Sequence, residues 1–102
     1  QLDNAALEEP LAKMIDMLAL QMEKSKVSIH TNSQYQTTIT PQDLATMCGL
    51  SQNQQYKAIY DLQNWHNIKL VDNKIFIKDL YELSKQSAFL RKQSQEVQKD
   101  LR

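Results

Sequence analysis

Glycine is almost missing from this chain, at one residue in 102, and proline occurs only twice. All-β architectures depend on turns made from these residues, so their scarcity argues against one. The single cysteine cannot close an internal disulfide, and an intracellular, cytoplasmic setting is the expectation. No apolar run is long enough for a transmembrane helix or a signal-peptide core, so no membrane partner is expected. An excess of one charge sign is absent too, because twelve Lys and Arg cancel twelve Asp and Glu. That speaks against histone-like binding of nucleic acid by bulk charge. The chain has no nucleophile elbow, no glycine-rich phosphate loop, no HExxH and no recognisable pair of acids, so no enzyme and no cofactor are expected. His30 and His66 lie in different elements without a CxxC or HxxxH partner, so no zinc site is expected.

What is present suits one small soluble domain. Apolar residues make up 41% and charged residues 24%, enough for a modest core. The chain opens on Gln1, which suggests a fragment of a longer protein. Its neutrality hides an asymmetry. Residues 1–24 set Asp3, Glu8, Glu9, Asp16 and Glu23 against Lys13 and Lys24, so the remainder carries the balancing positive charge. Glutamine is frequent but scattered, and there is no internal repeat.

Leu7, Leu11, Met14, Ile15, Leu18 and Met22 recur at helical spacing and predict an amphipathic helix over 7–24, with Pro10 in its first turn. Residues 25–36 are polar and read as a loop or loose hairpin. Val27 and Ile29 suggest a short strand there, with Thr37–Ile39 as its partner. Thr40, Pro41 and Asp43 then give a capping residue, a first-turn proline and an acidic variant of the capping box. A short helix, 41–48, ends at Gly49, where the turn asks for a left-handed backbone. Ser51 and Gln54 form a second capping box and open a helix over 51–65, whose buried face is Ala58, Ile59 and Leu62. Two helices joined by so short a turn have the form of a helix-turn-helix. From Ile68 the period becomes two, and Ile68, Leu70, Ile75 and Ile77 alternate around Asp72-Asn73 as a hairpin. Asp79 and Glu82 open a last helix from about Leu80 into the nineties.

The helix 51–65 carries the candidate function. Its polar side shows Gln52, Asn53, Tyr56, Lys57 and Tyr60. A recognition helix reads bases with its first two turns, and Gln or Asn can bond the N6/N7 edge of adenine in bidentate fashion. Lys57 suits a guanine edge or a phosphate. Ser51, Tyr56 and Tyr60 suit phosphate oxygens, as do the backbone N–H groups at both helix starts. Thr38 and Thr40 could reach phosphate as well, although capping already explains Thr40. The bland alternative is a solvated face, and the surrounding capped helix, glycine turn and hairpin weigh against it.

The stretch ITPQDLATMCGLSQNQQYKAIYDLQNWHNIKLVDNKIFI, 39–77, resembles the C-terminal winged helix of the Crp/Fnr family of bacterial transcription regulators. The shared pattern is I-T-x-x-(D/E)-(L/I)-A-x-x-x-G-x-S, a recognition helix, L-x-x-x-x-x-I and a hairpin. It is met at Ile39, Thr40, Asp43, Leu44, Ala45, Gly49, Ser51, Leu62, Ile68, Ile75 and Ile77. The segment PLAKMIDMLAL, 10–20, resembles the helix after the family's hinge, and the likeness covers roughly residues 6–85.

The resemblance implies a mainly α (α+β) winged helix-turn-helix with a small hairpin wing and a C-terminal helix. Residues 1–6 would be the stub of a dimer helix and 7–85 the DNA-binding domain, with the helix-turn-helix at 41–65 and the wing at 67–78. Residues 86–102 would form a helical extension. It also implies sequence-specific binding of double-stranded DNA at a palindromic operator, a homodimer in the full-length protein, and RNA polymerase as a further partner. The DNA-contacting residues would be Thr40, Ser51, Gln52, Asn53, Gln54, Tyr56, Lys57, Tyr60 and Lys74. Family members sense a ligand or cofactor through an N-terminal β-roll, which is not in this chain.

Two departures matter. The family often carries Arg, Glu and a second Arg where Gln52, Asn53 and Lys57 stand, which predicts a more A·T-rich site and weaker binding per half-site. Gln55 replaces an aliphatic residue facing the core, so its amide needs a partner. The neutral charge and the missing arginines also allow a winged helix used for protein–protein contact, and a replication-initiator domain would share the fold.

The remaining singular residues have plainer readings. Cys48 reads as a small buried hydrophobe and Trp65 as packing between helix and wing. Lys69, Lys74 and Lys78 line the hairpin and suit phosphate contacts, though a solvated hairpin would look the same. Leu83, Leu90 and Val97, with Leu80, Ser87, Ser94 and Leu101, make a weak heptad. The expectation is that Leu80 and Leu83 pack on the domain and that 91–102 frays.

Overall fold

A computed structural model describes residues 9–100, and their side chains through residue 93. Among the described residues, four helices accompany a small three-stranded antiparallel sheet. The first helix, α1 (Pro10–Lys24), begins at its proline rather than earlier, with Glu9 as an N-cap that makes no side-chain bond. Residues 7 and 8 of the expected helix lie outside the described residues. Ala12, Met14, Ile15, Leu18, Ala19 and Met22 are buried along one stripe. The helix ends with Lys26 in the left-handed region, φ 63°. Lys26 N–H donates to Glu23 O (3.0 Å) and Val27 N–H to Met22 O (2.9 Å), the paired bonds of a Schellman stop.

The segment 25–39 corrects the sequence expectation. Val27 and Ile29 form no strand. Strand β1 (Tyr35–Gln36) lies further along and pairs with residues about forty positions later. Thr37 and Ile39 do bond a strand, but at Ile75: Thr37 N–H donates to Ile75 O, and Ile75 N–H to Ile39 O. Thr37 is buried, and its hydroxyl donates to Ile75 O (2.8 Å) while accepting from Ile39 N–H (3.0 Å).

Helix α2 (Pro41–Met47) is capped by Thr40, whose Oγ1 accepts from Asp43 N–H at 3.0 Å. Among the described residues the reciprocal Asp43 bond of a full capping box is not made. Gly49 follows at φ 70°, with Gly49 N–H on Thr46 O and Leu50 N–H on Ala45 O, a second Schellman stop. Helix α3 (Gln52–Gln63) then starts after its cap Ser51 and stops two residues earlier than expected, because Asn64 C-caps it and Trp65 falls beyond its end.

Strands β2 (Ile68–Val71) and β3 (Lys74–Ile77) close on Asp72-Asn73, both left-handed as a two-residue hairpin turn requires. The sheet order is β1-β3-β2, with Ile68 facing Ile77 and Tyr35 facing Ile77 from the other side. Ile68, Ile75 and Ile77 are buried, whereas Lys69, Lys74 and Lys78 are exposed. Helix α4 (Leu80–Asp100) is capped by Asp79, whose Oδ1 accepts from Tyr81 and Glu82 N–H. It is helical to Asp100, where fraying from residue 91 was expected. Ser94 and Val97 of the weak heptad have side chains outside the described set, and Leu101 lies outside the described residues.

The core joins α1, α2, α3, the sheet and α4 through Met14, Leu18, Leu44, Leu62, Ile75, Ile77 and Leu83, all fully buried. Ser87 and Leu90 carry the α1–α4 contact further along α4. Asp16 ties the two helices together: Arg91 donates to both its oxygens (2.6 and 2.8 Å) and Ser87 Oγ donates at 2.7 Å. Buried Asn67 donates to Asp79 O, while its own Oδ1 has no partner among the described residues.

Candidate nucleic-acid interface

The start of α3 is built by its cap. Ser51 Oγ accepts from Gln54 N–H, and Gln54 Oε1 accepts from Ser51 N–H at 2.9 Å. Gln54 is therefore committed to holding the helix start, with its carbonyl oxygen already used. Ala58 and Leu62 bury the inner side, with Ile59 and Gln55 half-buried beside them. Gln55 Nε2 donates to Leu50 O at 3.0 Å, which supplies the partner that its place near the core demands.

At about 100° per residue, the direction opposite this inner side falls between Asn53 and Tyr60. Tyr56 and Tyr60 are each 67% exposed, and Gln52 and Asn53 are exposed as well. Gln52 Nε2 reaches Tyr56 Oη only at 3.4 Å. Asn53 makes no side-chain hydrogen bond among the described residues. The surface is thus made of amides and phenols, and the fold leaves most of their hydrogen-bonding capacity to solvent.

Lys57 differs from the sequence expectation of a free contact. Its Nζ lies 2.7 Å from Asp61 Oδ2. The hydrogen bond that Lys57 donates to Asp61, and then the Asp61 charge, hold the ammonium above the usual lysine value, and Glu9 adds to this. The pairing could have been found from the four-residue spacing on one helix.

The hairpin tip meets the start of α2, where Asn73 Nδ2 donates to Gln42 Oε1 at 3.3 Å. Gln42 also lines a shallow cleft of about 220 Å³ with Gln52, Gln55, Tyr56 and Ile59. Gln42, which the sequence does not single out, and Asn73, which it marks only as a turn residue, therefore link three elements, and no local pattern announces this. Lys74 stands exposed at the start of β3, and Lys69 Nζ sits 5.2 Å from the centre of the Phe76 ring. Thr40 is half-buried and its hydroxyl is occupied by capping.

Cys48 is half-buried between α2 and α3, and burial pushes its thiol up. Trp65 packs on the core edge-to-face with His66, and His66 pairs with Glu82. No group of three His, Cys, Asp or Glu is placed to hold a metal ion among the described residues. No described helix is long and apolar enough to cross a membrane. No protein-family model matches the chain, and neither a curated protein nor a solved structure is significantly similar to it.

Proposed function

We propose that this chain is a winged helix-turn-helix module that binds double-stranded DNA sequence-specifically, in the manner of Crp/Fnr regulators of bacterial transcription. The observation that carries the reading is the exposed surface of α3, where Asn53 and Tyr60 face outward with Tyr56 beside them and Gln52 on the flank toward Ile59, all largely uncommitted to the fold. The order of elements and the β1-β3-β2 sheet support it, because they set a capped two-helix unit directly before a hairpin. In this reading α3 enters the major groove. Gln52 and Asn53 read adenine edges, and Tyr56 and Tyr60 donate to phosphate oxygens. Lys74 and the hairpin lie along the backbone. Ser51, Gln54 and Thr40 act by shaping the helix starts. The native assembly would be a cytoplasmic homodimer on a palindromic operator, with RNA polymerase as a further partner.

Selection from a random duplex pool, followed by gel-shift titration, tests the proposal. The selected site should be A·T-rich, and Asn53→Ala or Gln52→Ala should each lose about 1–3 kcal/mol of discrimination at one position. Unchanged sequence preference in both variants would refute base reading by α3.

A second reading has one observation in its favour. Two tyrosines, each 67% exposed on a helix side whose lysine is neutralised, also suit a protein partner. Salt separates the two, since DNA binding weakens steeply as salt rises and an aromatic protein contact does not.

A further inference from the structure

The only lysine of α3 is held by its own helix. Lys57 is 71% exposed along its side chain and Asp61 28%, and their charged atoms are 2.7 Å apart. Asp61 lies about 90° around the helix from the outward direction between Asn53 and Tyr60, so it draws the ammonium toward the flank. Glu9, just before α1, adds negative potential to the same lysine. We infer that Asp61 is a positioning residue that withholds Lys57 from the phosphate backbone and so sets how strongly, and how salt-dependently, α3 holds DNA. This inference rests on the DNA-binding reading above.

The physics is charge conservation at one spot. A lysine that neutralises a phosphate releases condensed counterions, and this gain is independent of sequence. An exposed ion pair is weak, so Lys57 could exchange Asp61 for a phosphate. The exchange would leave the Asp61 carboxylate bare beside a polyanion. Lys57 and Asp61 together are neutral whichever anion the ammonium touches, so the pair contributes no net counterion release. Gln52, Asn53, Tyr56 and Tyr60 carry no charge to make up for it. Binding by this helix then depends on base edges and hydroxyl contacts more than on phosphate attraction.

Fluorescence anisotropy on a pool-selected duplex and an unrelated duplex, across a salt series, tests this. Asp61→Asn should tighten binding to both duplexes about five-fold at 0.15 M salt and steepen the log–log salt slope by about 0.9. The double variant Lys57→Met with Asp61→Asn should return both quantities to the wild-type values, because the neutral pair is replaced by a neutral pair. If the double variant stays as tight as Asp61→Asn alone, the gain comes from removing an acid, and the positioning role is wrong. If wild type binds and Asp61→Asn leaves affinity and slope unchanged, the inference fails while the DNA-binding proposal stands. If neither wild type nor Asp61→Asn binds any duplex even at low salt, both fail together.

Discussion

Replacing Gly49 with alanine isolates the energetic cost of the turn between α2 and α3. The residue sits at φ 70°, and a Cβ built there meets nothing within 4 Å. Collision therefore adds nothing, and the cost is that of the backbone conformation. An L side chain in the left-handed region costs about 1–2 kcal/mol. Alanine also restricts the unfolded chain, which returns about 0.4–1 kcal/mol. The net expected loss is about 1 kcal/mol. Gly49→Asn should cost less, because asparagine visits this region more readily. Lys26, at φ 63° in the equivalent place after α1, shows that the fold carries such a residue elsewhere. Urea unfolding followed by circular dichroism gives the measurement. With a slope of about 1–3 kcal/mol/M, the Gly49→Ala midpoint should fall by about 0.3–1 M. A loss above about 3 kcal/mol would mean that packing, not conformation, decides this position. Equal losses for alanine and asparagine would also refute the conformational account.

Other outcomes follow from single contacts. Ser51→Ala removes the cap of α3 and should cost about 0.5–2 kcal/mol of stability in the same urea assay. Thr37→Val takes away a buried hydroxyl that bonds Ile75 O and Ile39 N–H; Ile75 O keeps its bond from Thr37 N–H, so the orphaned Ile39 N–H should set the cost at about 1–3 kcal/mol. Arg91→Met breaks the two-point contact with Asp16 and should lower stability by about 1–2 kcal/mol, with a smaller effect from Ser87→Ala. Hydrogen bonding from Asn32, helped by the Glu82 and Tyr81 backbone N–H groups, holds the Asp79 carboxyl below the usual carboxylate value. Its contribution is then present above the unfolded value of about 3.9 and lost as pH falls through the lower folded value. Carboxyl NMR titration should show Asn32→Ala moving Asp79 back up toward the ordinary range, and an unmoved titration would contradict this.

The parts of this fold that the sequence makes legible are those written in local chemistry. Thr40, Ser51 and Asp79 each cap the helix that follows, and Gly49 and Asp72-Asn73 adopt the left-handed backbone their turns need. Residues 25–39 were harder because their partners are remote. Tyr35 finds Ile77, Asn32 finds Asp79, and the amides of Leu80 and Tyr81 reach back to Ser33 and Thr31. A polar, aperiodic segment gives no sign of such distant partners. On the candidate surface, the amides and tyrosines of α3 were legible from helical spacing. Residue type alone makes Lys57 a free contact and passes over a carboxylate one turn away. The contact between Asn73 and Gln42 joins residues 31 positions apart and follows only from the tertiary placement of the hairpin tip near the start of α2.

That placement gives the hairpin tip a particular engineering value. A two-residue connection allows little projection past the body, and Asn73 anchors it to Gln42. Lengthening a surface loop costs only slowly growing entropy, while Ile75 and Ile77 on the inner side of the same strand would keep the sheet seated. Extra residues inserted between Asp72 and Asn73 would turn a tethered knuckle into a longer finger without disturbing the interior. The reach of the hairpin tip past the body is thus adjustable at one spot, by changing a length rather than a chemistry.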